Sequence, residues 1–272
     1  MIIDFHTHVF PDKMAAATVE ALESKAGIRA ATNGCLNGLL ASMSTAGVDC
    51  SVILPVVTAP KQFTGINRFA HTINEQYQSA SDDVRRLISF GGIHPDSEDY
   101  KAQLKELKSM GFPGIKLHPD YQGVFFDDIR YKRIVSYASE LDMTIVVHAG
   151  IDIGIPEPIR CSPDRALSVL KDTEPDKLVL AHLGGWKQWD EVEELLVGRK
   201  VYFDTAFIQQ YISQEQFTRI VKNHGCNRIL FATDSPWTDQ KLAVDWLRNV
   251  NSLSEEEKKH IFEENATKLL QI

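Results

Sequence analysis

Residues 114–150 read GIKLHPDYQGVFFDDIRYKRIVSYASELDMTIVVHAG, and the topology is legible in them. The stretch opens with a short apolar run, Gly114–His118, and closes with another, Thr144–His148. Between them, Ile129–Leu141 places apolar residues at roughly helical intervals. Runs of strand length that are apolar on both faces are how buried parallel strands look. The stretch therefore reads as strand, helix, strand, with a histidine at the end of each strand.

Working outward, the same rhythm fills the chain. Further strand-like runs are Ile2–His6, Ser51–Leu54, Leu87–Ile93, Leu178–His182, Val201–Asp204 and Arg228–Thr233. Helix-length segments alternate with them: Glu98–Met110, Pro163–Lys171, Asp190–Leu196, Gln214–Asn223 and Gln240–Val250. Ser254 and Glu257 form a Ser-x-x-Glu capping box that opens a last helix running to about Leu270. Eight strands with helices between them in 272 residues predict an α/β fold, a (β/α)₈ TIM barrel, as one domain over residues 1–272. A doubly wound open sheet would more often use fewer strands. Ala15–Thr45 exceeds what one connecting helix needs and predicts an extra helix or flap after the first strand.

Composition sets the outer bounds. With 29 Lys+Arg against 37 Asp+Glu the net charge is −8, and there is no basic block, which argues against nucleic acid or an anionic membrane as partner. No apolar run approaches the roughly 20 residues of a membrane span. Cys35, Cys50, Cys161 and Cys226 form no CxxC pair, so free thiols in a reducing compartment are expected. Met1 leads into Ile2–Ile3–Asp4–Phe5 with no basic leader, and the expectation is a cytoplasmic protein. Self-association into a homo-oligomer is left open.

In a barrel of this kind chemistry gathers at the C-terminal ends of the strands. The first strand ends Asp4–Phe5–His6–Thr7–His8, and residues i and i+2 of a strand point the same way about 6–7 Å apart. Two imidazoles so spaced can converge on one ion held at about 2.0–2.1 Å. His148, His182 and Asp234 end later strands, and Lys116 sits among apolar neighbours in the fourth. Each has a structural explanation when taken singly, such as a satisfied core histidine or a capping aspartate. Together they place ligand-type groups on one rim. Imidazole and carboxylate without thiolate favour zinc or a similar divalent ion with an open position.

With Asp4-x-His6-x-His8, then His148, His182 and Asp234, the chain resembles the amidohydrolase superfamily. More narrowly it resembles the amidohydrolase-related branch that includes aminocarboxymuconate-semialdehyde decarboxylase. The runs Gly114–Pro119, Ala181–Gly185, Thr233–Trp237 and Glu264–Leu270 are similar to that branch as well. The resemblance implies a (β/α)₈ barrel in which His6, His8, His148 and Asp234 surround one metal, with zinc expected. It implies that His182 handles a proton or stabilises an oxyanion, and that Asp234 also takes a proton from the nucleophilic water. Lys116 is the third catalytic candidate. It would bind a substrate carboxylate, pair with an acid, or be carbamylated to bridge a second metal.

The expected activity is metal-dependent hydrolysis of an amide, cyclic amide, lactone or ester of a small carboxylate-bearing molecule. The alternative is non-oxidative decarboxylation or hydration of an unsaturated or aromatic acid. Substrate-binding candidates are His94, His118, Arg160, Trp186 and Trp237, with Phe207 and Tyr121 as further walls. Lys116, Arg160 and Lys187 are the cations expected to read a substrate anion.

Overall fold

The computed structural model describes residues 1–77 and 86–272. Among the described residues nine strands are interspersed with helices: β1 (Ile3–Thr7), β2 (Cys50–Ile53), β3 (Arg86–Ser89), β4 (Gly91–Gly92), β5 (Gly114–Leu117), β6 (Thr144–Val147), β7 (Leu178–Leu180), β8 (Tyr202–Asp204) and β9 (Ile229–Leu230). The run expected as one strand over Leu87–Ile93 is two, β3 and β4, separated by Phe90. The region expected to hold an extra helix carries two, Asp12–Ala26 and Leu36–Ala46. All four cysteines are free thiols. Among the described residues, no helix is long and apolar enough to cross a membrane.

The chain forms two compact units. The first comprises Met1–Ile53, Ile73–Ile88 and Asp204–Ile272. Within it β1 pairs in parallel with β2 on one edge. On its other edge it takes the segment that follows β9, through Phe5 N–H to the Phe231 carbonyl at 2.9 Å and Asp234 N–H to the His6 carbonyl at 2.8 Å. The C-terminal helices brace this segment. Asn265 donates to the carbonyls of Cys226 and Ile229, both at 2.7 Å, and the Ser254–Glu257 capping box forms as the sequence predicts.

The second unit comprises Leu54–Thr72 and Ser89–Phe203. Its strands pair in chain order, with Gly92 opposite Lys116, Lys116 opposite Val146, and Val147 opposite Leu180. Ile115, Leu117, Ile145, Val146, Val147 and Leu180 are fully buried, as continuous apolar parallel strands require. Past β6 the chain turns back so closely that Trp186 N–H reaches the Ala149 carbonyl at 2.9 Å and Gly150 N–H reaches the Cys161 carbonyl at 2.8 Å. Gly150 has φ +86°, and a Cβ there would stand 2.0 Å from the Trp186 nitrogen. Only glycine fits both the dihedral and the approach.

Gly150→Ala should therefore lose at least about 2 kcal/mol of unfolding free energy, because backbone atoms block the methyl. Gly27→Ala, at φ +65° with nothing within 4 Å, should lose only about 1 kcal/mol. Urea midpoints of the two variants check this, and equal shifts would contradict it.

Candidate metal centre

The strand β1 delivers His6 and His8 to one place in the first unit. Their Nε2 atoms lie 3.2 Å apart, and Asp234 Oδ1 stands 3.4 Å from His6 Nε2 and 3.1 Å from His8 Nε2. Donors that share one divalent ion at about 2.0–2.1 Å stand about 2.9–3.4 Å apart, for bond angles between octahedral and tetrahedral. The three donor atoms thus already have the separations of one coordination face, and a divalent metal fits them. Asp234 sits at φ 65°, a left-handed conformation that aspartate tolerates, and its own N–H is held by the His6 carbonyl.

The orientation of His6 has a specific cause. Asp204, at the end of β8 and fully buried, places Oδ2 2.8 Å from His6 Nδ1. Its other oxygen accepts from Ala206 N–H at 3.0 Å. A carboxylate on Nδ1 fixes the tautomer that leaves Nε2 as the metal donor. Asp4 is buried beneath the same strand end, and burial pushes its carboxyl up to about 7 against the pull of its hydrogen bonds.

In the second unit the strand ends gather His118, His148 and His182 with two carboxylates. His148 Nδ1 and His182 Nε2 are 3.0 Å apart, so one proton lies between them. The His118 and His148 rings stack at 4.2 Å with planes 7° apart. Asp152 Oδ2 lies 3.6 Å from His118 Nε2 and 3.9 Å from His148 Nε2, and Asp120 Oδ2 lies 3.8 Å from His148 Nε2. His118, His148 and Asp152 form a second group with the donor set of a metal site. Its separations are wider than those of the first. Burial pushes the Asp120 carboxyl up to about 7, opposed by Arg160, whose backbone N–H donates to it at 3.2 Å.

The other anticipated residues have definite places. Lys116 is 1% exposed in β5. His94 Nδ1 accepts from Asp96 N–H at 3.1 Å as part of a turn, and burial lowers its pKa below the ordinary histidine value. Trp186 is buried in the second unit with the Lys187 ammonium 4.9 Å from its ring. Tyr121 meets the His118 ring edge-on at 4.6 Å. In the first unit Phe207, Tyr211 and Trp237 line a cavity of about 230 Å³ together with Arg29 and Gln209. One wall of that cavity continues from the segment that carries Asp234, since Trp237 N–H bonds the Asp234 carbonyl at 2.8 Å, and Phe207 lies three residues after Asp204.

Sequence reasoning missed Asp204, Asp120, Asp152 and Arg29. A signal existed for Asp204, which ends a predicted strand as the histidines do. Arg29 lay in the excursion after β1, where no periodicity points to a pocket.

Residues 3–272 match the family described as Amidohydrolase, and the chain belongs to that family of metal-dependent enzymes. Its fold is the TIM barrel. An uncharacterized TIM-barrel protein from Bordetella bronchiseptica superposes with a TM-score of 0.78 at 18% identity, covering 99% of this chain and 98% of the other. The 5-carboxyvanillate decarboxylase of Sphingomonas paucimobilis gives 0.70 at 16% identity over 100% and 99%. That of Novosphingobium aromaticivorans, a mutant solved with bound manganese, gives 0.73 at 14% identity over 100% and 97%. No curated protein sequence is significantly similar to the chain.

Metal-stripped protein should take up a divalent ion that the His6→Ala/His8→Ala double variant cannot hold. Asp204→Asn should keep the fold and weaken metal binding about 10–100-fold, because the amide no longer fixes the His6 tautomer. Competition against a chelating dye measures both, and stoichiometric metal in the double variant would refute the ligand assignment.

Proposed function

We propose that this amidohydrolase-family enzyme is a metal-dependent, non-oxidative decarboxylase of a small aromatic or unsaturated carboxylic acid. The observation that carries the reading is the cavity of the first unit: three aromatic walls, an arginine, and a wall residue, Trp237, hydrogen-bonded to the backbone of Asp234. Flat aromatic walls suit a planar acid, and a guanidinium matches a carboxylate in two-pronged fashion. The fold shared with the 5-carboxyvanillate and 2,6-dihydroxybenzoate decarboxylases supports it.

His6, His8 and Asp234 would hold the ion. When bound, the ion supplies a Lewis acid that anchors and polarises a substrate oxygen, and either zinc or manganese suits imidazole and carboxylate donors. Decarboxylation breaks the bond between carbon and carboxyl group. The electron pair stays on carbon, CO₂ leaves, and a proton must be added there. His182 supplies that proton. Its hydrogen bond to His148 keeps the imidazole oriented, and a positioned histidine contributes about 10²–10⁴-fold in rate. Arg29 reads the second anionic group of the substrate.

A second reading is hydrolysis of an amide, cyclic amide, lactone or ester, in which Asp234 takes a proton from water and His182 delivers it to the leaving group. The Asp234 carboxylate favours it, since it stands 3.1 Å from His8 Nε2, where a carboxylate beside the donors can take that proton.

Protein loaded separately with zinc and manganese, tested against hydroxylated aromatic acids, lactones and N-acyl compounds, separates the two. Release of CO₂ supports decarboxylation, and solvent-derived oxygen in the product supports hydrolysis. In either case His182→Asn should keep the metal and lose about 10²–10⁴-fold in kcat. Metal loss in that variant would make His182 a ligand instead.

Arg29→Met should lower kcat/KM for the anionic substrate about 10–100-fold, the worth of a charge-assisted hydrogen bond. An analogue that keeps the carboxylate to be lost but carries its second anionic group as a neutral methyl ester should be unaffected. A change below about threefold for the acid would remove Arg29 from recognition.

A further inference from the structure

The pairing of β1 with β2 is irregular where the metal donors begin. Ile3 faces Cys50 and Asp4 faces Ser51, but the next pair is Thr7 with Ile53. Three steps along β1 thus match two along β2, a bulge that inserts one residue at Phe5–His6. Bulges re-aim side chains and leave a backbone group outside the ladder. Here the N–H of His6 turns to the side chain of Asp4, at 3.3 Å from Oδ1.

The same carboxylate reaches across to the segment that ends in Asp234. Oδ1 accepts from Thr233 N–H at 3.0 Å, and Oδ2 accepts from the Thr233 hydroxyl at 2.6 Å. Gln240, at the start of the helix Gln240–Arg248, donates from Nε2 to Oδ2 at 2.7 Å and to the Ser51 hydroxyl at 3.2 Å. All four groups on Asp4 are neutral donors, and its side chain has no exposure. An aspartate held this way is an expensive choice for packing alone. Its position gives it a purpose: it grips the residue two before His8 and the residue one before Asp234.

We propose that Asp4 is a positioning residue whose carboxylate clamps the β1 bulge to the Thr233–Asp234 segment, fixing the spacing of His6, His8 and Asp234 and so the affinity for divalent metal. This rests on the reading of those three residues as ligands. An asparagine would not substitute, because its amide would present two hydrogens where four donors already converge.

The test is a titration of metal-stripped protein with Zn²⁺ or Mn²⁺ against a chelating dye, alongside thermal unfolding without metal. Asp4→Asn should weaken metal binding about 10–100-fold, the range for partners that orient metal ligands. Thr233→Val, which removes one donor and keeps the shape, should weaken it in the same direction by about three- to tenfold. Val221→Ala, a buried site on the helix Gln214–His224, should lower the melting temperature and leave the metal Kd unchanged. If Asp4→Asn does not fold, Thr233→Val decides. Metal affinity within about twofold of wild type in the folded variants overturns the proposal and leaves the site intact. Wild-type protein that binds no metal, or a His6→Ala/His8→Ala variant that still does, overturns the ligand reading and the proposal with it.

Discussion

The hydrogen bond from Asp234 N–H to the His6 carbonyl, 2.8 Å long, joins residues 228 positions apart in the chain. Closing so long a loop carries a large entropic cost, and it is met by many contacts besides this one. Without that register, however, the imidazoles of β1 and the carboxylate of Asp234 would have no common centre. The neighbouring bonds Phe5 N–H to Phe231 and His8 N–H to the Ser235 carbonyl extend the same alignment. The metal donors are therefore spaced by main-chain geometry first and by side-chain partners second. Asp204 behind His6 engages Nδ1 and so leaves Nε2 as the nitrogen that would face an ion, and the hydrogen bonds of Asp4 tie the two segments together.

The second unit shows a different electrostatic arrangement. Three imidazoles and two carboxylates lie at the ends of β5 and β6 and just beyond β7, with little solvent. Burial works against charge on Asp120, and Arg160 works for it. A stacked His118–His148 pair and a shared His148–His182 proton make the protonation of any one ring depend on its neighbours. Groups coupled in this way can pass a proton without a large change in total charge.

Much of this was legible in the amino-acid sequence, and the reasons are physical. Buried parallel strands must be apolar on both faces, so β5, β6 and β7 stand out as Val, Ile and Leu runs, and the polar residues that end them are conspicuous. Helix ends announced themselves where a cap is chemically distinct, as at Ser254. Local pattern could not reveal the split between β3 and β4, since Phe90 interrupts pairing without interrupting hydrophobicity. Nor could it reveal partners distant in sequence. Asp204 and Asp4 act on His6 through register, and register across parallel strands is set by the whole sheet. His94 illustrates the converse: a histidine at a strand end reads as functional, yet its Nδ1 is engaged in a turn with Asp96.

Arg29 lies between the helices Asp12–Ala26 and Leu36–Ala46, where Ala31 N–H docks on the Pro236 carbonyl. This excursion contributes to the cavity wall without contributing a strand to the sheet. Substitutions or length changes there alter what the cavity accepts while the strands that space His6, His8 and Asp234 stay as they are. The shape of the cavity wall and the spacing of the candidate donors thereby rest on different parts of this chain. A lineage carrying such a fold could vary that cavity wall by drift in the few residues between the two helices, under little constraint from the strands that space His6, His8 and Asp234.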